Sequence, residues 1–338
     1  MNTKISNKIT LINYTMTLLV VCLHSLYSYN NEILRIFYNY IRTIGDMAVP
    51  TFFVISSFLL FRKNKDDNYI NKIKKRFKSL VIPYFMWSTF FYLVYLIISN
   101  IPVLSKSLDN NYVVFSIKKM ILSIIFCKYI PQFWYIRLLF IIVIVSLLLD
   151  YIMKKGYKVL SLIMIFILFV ANYLFNFSTV NIFTWLPLFW IVAWITYFYE
   201  DKIYIFLNKN NNLMGILSII ITLIMACIIS RFDIYSNIYY TWRIISPILI
   251  IFIFKNININ FNIKWRHKQG FYIFALHYFI ISLVRKLLLL IFRESILTIV
   301  ITYILTIIFA VLISLLCAKI IQEKFPKLNK LLSGNRGG

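Results

Sequence analysis

The chain has 338 residues, 61% of them hydrophobic, with a mean hydropathy of +0.82 and a formal net charge of +25. That apolar fraction exceeds the roughly one half typical of soluble domains, and no soluble stretch of domain size interrupts it, which excludes the two soluble domains that length alone would suggest. The charge does not point to nucleic acid, because Lys and Arg sit between apolar runs as in membrane loops, and four scattered cysteines with no CxxC pair speak against a disulfide framework or a zinc site.

A membrane-crossing helix needs about 20 mostly apolar residues. In chain order the sequence predicts ten, at 9–29, 42–62, 79–99, 132–153, 158–176, 183–199, 213–230, 238–254, 271–291 and 296–321. The first run is long and many more follow, so it is retained as a helix and not removed as a signal peptide. Between the third and fourth spans, residues 112–130 are apolar but broken by Lys118, Lys119 and Lys128. They read as an interfacial amphipathic helix.

The basic residues set the orientation. With the N-terminus inside, 24 of the 36 Lys and Arg fall on the inner side, 10 on the outer side, and Arg137 and Arg243 within spans. The positive-inside rule therefore puts both termini in the cytoplasm. Residues 1–330 form one all-α transmembrane domain of ten helices, and 331–338 a short cytoplasmic tail. Neither the helices nor the halves repeat, which disfavours an inverted-repeat transporter.

Ionisable groups inside a bilayer are costly and usually face a cavity or a partner. Five stand out: His24, Asp46, Arg137, Arg243 and His277. His24 lies near the outer end of the first span, in "TMTLLVVCLHSLYS". Asp46 lies near the outer end of the second, which runs the other way. The two share a depth, and a carboxylate there would orient an imidazole acting as a base. His277, in "GFYIFALHYFII", reads as a core histidine, and Arg137 as a residue snorkelling from a helix end. Ser56 and Ser57 read either as small residues at a helix contact or as polar groups lining a path. The loop 61–87 is the densest basic cluster. It serves topology and attraction to anionic lipid, or clamps the phosphates of a donor such as coenzyme A.

Five stretches in order resemble the acyltransferase type-3 family of integral membrane acyltransferases, which includes O-acetylases of bacterial surface polysaccharides. They are "LLVVCLHS", "VPTFFVISSFLL", "KKRFKSLVIPYFMW", "FWYIRLLF" and "GFYIFALHYFI", with the tail "FPKLNKLLSG". The chain departs from the family pattern at Asn13, where many members carry Arg or Lys. It departs also at Ser79, where the second Arg of R-x-x-R is missing, and at Ser56-Ser57 for S-G.

The resemblance implies a plasma-membrane enzyme that moves an acyl group, acetyl or another, from cytoplasmic acyl-CoA to a hydroxyl of a surface or lipid-linked carbohydrate. It requires no metal. His24 matches the family's essential histidine and is expected to act as general base, with acyl-histidine relay as a variant. Asp46 and Arg137 are expected to orient or stabilise. Arg76, helped by Lys75 and Lys78, is expected to hold the donor phosphates. Membrane lipid, a carbohydrate acceptor and polysaccharide-synthesis machinery are the expected partners, and nucleic acid is not. Two other classes stay open: a non-catalytic transporter using His24, Arg137 and Arg243 as a path, and a subunit of a polysaccharide export or assembly complex.

Overall fold

The computed structural model describes residues 3–26, 31–62, 68–105, 112–256, 263–292 and 295–334. Residues 27–29 of the first predicted span, 63–67 of the basic loop and 335–338 of the tail lie outside them. Every regular element among the described residues is helical. Ten helices, some joined from two pieces, are long and apolar enough to cross a bilayer, matching the ten predicted.

Helix α1 (Thr3–Ser25) starts before the predicted residue 9. The Lys8 ammonium, inside this longer helix, is bonded within the protein. It donates to the Lys255 carbonyl at 2.6 Å and to Asn210 Oδ1 at 3.2 Å. The predicted span 42–62 is two helices, α2 (Glu32–Gly45) and α3 (Ala48–Phe61). Asn31 caps α2 by accepting from the Leu34 N–H at 3.2 Å. Gly45 lets α2 press on α1, since a Cβ there would stand 2.9 Å from Leu23 Cβ. The break falls at Asp46–Met47, and Pro50 sits in the first turn of α3, where its missing N–H had no helical partner. Asp46 therefore occupies a helix break in the middle of a 30-residue span.

Helix α4 (Tyr69–Arg76) passes through a π-turn, Phe77–Val81, into α5 (Ile82–Ser99), and the three form the third span. After the short α6 (Pro102–Ser105) comes α7 (Ile117–Ile125), whose nine residues are too few to cross a bilayer. The remaining spans are α8 (Trp134–Lys154), led by a 3-10 turn at Pro131–Phe133, α9 (Lys158–Phe175), α10 (Ile182–Asn208), α11 (Asn212–Ile229), α12 (Asn237–Asn256), α13 (Gly270–Ile291) and α14 (Ile296–Lys324). Asn181 and Asn211 cap α10 and α11 with their side-chain oxygens.

Helix α10 carries Pro187, which cannot donate to the Phe183 carbonyl one turn back. The side-chain amide of Asn172 on α9 donates to that carbonyl instead. Polar groups freed within a bilayer are satisfied by neighbouring helices in this way. The last helix, α15 (Pro326–Ser333), folds back onto α5. Trp87 Nε1 donates to the Leu332 carbonyl at 3.1 Å, and Tyr272 donates to Asn329 Oδ1 at 2.8 Å. Helices α1 and α3 run through the centre, packed by α10, α12 and α13. Helices α9, α11 and α14 turn large apolar faces outward.

Candidate active site

A cavity of about 470 Å³ opens beside α1. Thr10, Asn13, Tyr14 and Thr17 form one wall because they follow the 3.6-residue period on one face of α1. Ser56 and Tyr135 face each other across it, their hydroxyls 3.5 Å apart. Ser57, one residue on, points away and donates to the Phe189 carbonyl at 2.6 Å. The serine pair thus divides, with Ser56 lining the cavity and Ser57 joining α3 to α10. Two cations line the same cavity: Arg76, at the start of the π-turn, and Lys268, from the 3-10 turn Trp265–Gln269 ahead of α13. Lys75 and Lys78 are exposed and do not line it.

His24 lies beyond the cavity, seven residues past Thr17, about 10 Å further along α1. Its ring packs against His277 with centroids 5.2 Å apart and edge-on against Tyr278 at 5.6 Å. His277 is wholly buried. Its Nδ1 faces the carbonyls of Phe274 and Ile273 at 2.9 and 3.1 Å, an arrangement that puts the ring proton on Nδ1. Its Nε2 has no hydrogen-bond partner among the described residues. Phe274 separates the cavity from the histidine pair. It lines the cavity, stacks on Phe133 at 5.7 Å and lies 6.0 Å from His277. Gln132 holds that turn of α13 by donating to the Ala275 carbonyl at 3.0 Å.

Asp46 and His24 stand within electrostatic reach of each other, but the carboxylate bonds elsewhere. Tyr239 donates to Asp46 Oδ2 at 2.9 Å, and Arg243 approaches the same oxygen at 3.6 Å. The end of α1 is held by Arg285, whose Nη2 donates to the carbonyls of His24 and Leu26 at 3.0 and 3.3 Å. A cation at a helix C-terminus is favoured by the helix dipole. Arg137 is equally remote from the histidine pair in its bonding, since its Nη1 donates to the Ile125 carbonyl at the end of α7 at 2.8 Å. The structure therefore packs His24 against His277 and puts Arg76 and Lys268 in the walls of one cavity. It ties Asp46 to Tyr239 and Arg243, and Arg137 to α7.

Sequence reasoning missed Lys268, Tyr135, Tyr239 and Arg285 as parts of these clusters. Lys268 was visible only as one more inner-loop charge in "KWRHKQG", and Tyr239 only as an aromatic near a membrane border. Among the described residues no three His, Cys, Asp or Glu side chains gather as a metal site.

An all-helical multi-pass membrane protein with a cavity of mixed polar and apolar walls and a buried histidine pair is the class that fold and site define. A family model described as an acyltransferase domain matches residues 9–315. The chain belongs to the acyltransferase type-3 family and is a membrane acyltransferase. No curated protein and no solved structure matches it.

Proposed function

We propose that this protein transfers an acetyl group from acetyl-CoA to a hydroxyl of a cell-surface or lipid-linked carbohydrate at the plasma membrane, with both termini in the cytoplasm. The observation that carries this reading is the cavity with Arg76 and Lys268 in its walls, with Phe274 standing between it and the His24–His277 pair. Coenzyme A bears three phosphate groups, which two cations in a half-apolar cavity suit. From Gly270 on the cavity wall to His277 the climb along α13 is about 10 Å. The pantetheine arm is an extended chain that would cover such a gap.

In the proposed reaction His24 takes the proton of the acceptor hydroxyl. The hydroxyl oxygen attacks the thioester carbonyl carbon, the C–S bond breaks, and His24 returns the proton to the leaving thiolate. His277 offers Nε2 as an acceptor for the His24 N–H, fixing which nitrogen of His24 is the base. Asp46, paired with Tyr239 and Arg243, supplies a fixed negative field near the developing imidazolium. Lys268 adds a cation to the cavity wall on which Asn13 stands in place of the family's basic residue. Arg137 holds α7, and Lys75 and Lys78 attract the donor from outside the cavity. Polysaccharide-synthesis machinery would supply the acceptor.

The test is turnover of radiolabelled acetyl-CoA by purified protein in nanodiscs, wild type against His24→Ala. Loss of turnover with donor binding retained is the expected result. Full turnover in His24→Ala would overturn the assignment of the base. Absence of acetyl-CoA binding in both proteins would overturn the choice of donor.

A further inference from the structure

A second cavity, of about 520 Å³, lies between α1, α3, α10 and α12, and only the side of Ile55 is common to both. Its walls are aliphatic and aromatic except for Thr196 and two lysines, Lys8 and Lys255. On α12 the lining residues run from Ile244 to Lys255, about 16 Å at 1.5 Å per residue. That is the depth of one leaflet of a hydrocarbon core about 30 Å thick. The lysines are not spread through it. Lys8 Nζ bonds to the Lys255 carbonyl, so both amines stand at the end where α1 begins and α12 finishes.

Lys8 and Lys255 bring two positive charges to that end. Two of the three Lys8 N–H groups go to Asn210 and the Lys255 carbonyl, leaving the third for a ligand. The Lys255 ammonium rests on the Phe206 ring, 3.7 Å from its centroid. Among the described residues neither amine pairs with a carboxylate. Lys4 adds its charge to that at Lys8, and Lys209 to that at Lys255.

We propose that this cavity is a binding site for one anionic phospholipid, with an acyl chain among the aliphatic side chains and the phosphate against Lys8 and Lys255. Depth, apolar walls and a cationic rim at the headgroup end suit that one ligand class. A zwitterionic lipid would bring its own cation to the lysines, and a small anion would leave the walls empty. Basic pockets between transmembrane helices bind anionic headgroups by the same physics. The site makes no use of His24 or Arg76 and stands apart from the proposed acyl transfer.

The test is native mass spectrometry of the full chain, delipidated in detergent and titrated with phosphatidylglycerol or phosphatidylcholine of identical chains. The expected result is one tightly bound phosphatidylglycerol, favoured by about 30-fold for two lysine contacts. Lys8→Gln/Lys255→Gln brings the preference close to one. Should loss of the Lys8 bridge unfold the double variant, Lys255→Gln alone lowers the preference about fivefold, because its ammonium is held between helices by the Phe206 ring and not by a hydrogen-bonded bridge like that of Lys8. Ile191→Trp narrows the apolar part of the cavity and weakens tight binding of both lipids. Equal binding of the two lipids by wild type, or an unchanged preference in Lys255→Gln, would overturn the proposal. So would a short-chain phosphatidylglycerol that binds as tightly as the long-chain form.

Discussion

Among the described residues the buried Nε2 of His277 meets no hydrogen-bond donor, and an unpaired buried acceptor costs about 1–3 kcal/mol. A residue serving packing alone has no reason to keep it. A residue that lends its lone pair to His24 during proton transfer does. His277→Leu separates these roles, because leucine fills similar space and brings no polar atom. Turnover of acetyl-CoA should fall about 100-fold, the usual scale for a group acting on proton transfer, while the melting temperature in detergent stays level or rises. A lower melting temperature with turnover intact would make His277 a packing residue. At this scale the sequence was half legible. The cost of burying an imidazole picked out His24 and His277. Their contact joins residues 253 apart in the chain, which no local pattern encodes. Asp46 was legible as an oddity but not by its partners, since Tyr239 lies 193 residues away.

The elements follow from run length where a helix is uninterrupted, which is why ten spans could be counted. The breaks inside spans were not legible. In "RTIGDMAVP" Pro50 cannot donate to the Asp46 carbonyl one turn back, and here the run does break, with the Asp46 carboxylate bonded to Tyr239 and beside Arg243. Pro187 is the opposite case, a known breaker that α10 passes through because Asn172 serves the Phe183 carbonyl. That pairing predicts non-additivity. Asn172→Leu should cost about 1 kcal/mol of stability. In a Pro187→Ala background the same change should cost much less, because residue 187 again has an N–H for Phe183. A double-mutant cycle on thermal unfolding in detergent measures the difference. Equal losses in both backgrounds would separate Asn172 from the proline.

At the scale of the molecule, charge placement and packing support each other. Arg76 lies in the inner loop 62–78 and Lys268 ends the inner loop 255–268. Both line one cavity, as they must if both loops share a side of the membrane. Which side that is rests on the 24-to-10 distribution of basic residues. The cavity itself was invisible in sequence: Arg76 was expected to hold donor phosphates, but with Lys75 and Lys78, and Lys268 counted only as a loop charge. Its position sets the direction of the proposed reaction. Donor phosphates at Arg76 and Lys268 and a hydroxyl at His24 approach from opposite faces. Acetyl-CoA does not cross a bilayer, so sealed vesicles resolve the two ends. Inside-out vesicles should turn over external acetyl-CoA at the full rate, and right-side-out vesicles should do so only after permeabilisation. Arg76→Ala and Lys268→Ala should each weaken donor binding by about 10-fold, as loss of a charge-assisted bond of about 1.5 kcal/mol does. The preference for inside-out vesicles should survive both changes, because orientation is set by the whole distribution of loop charges and not by the two that meet the donor. Turnover in intact right-side-out vesicles at the same rate would reverse the assignment, putting the Arg76 end outside and the positive loops on the wrong side of the bilayer.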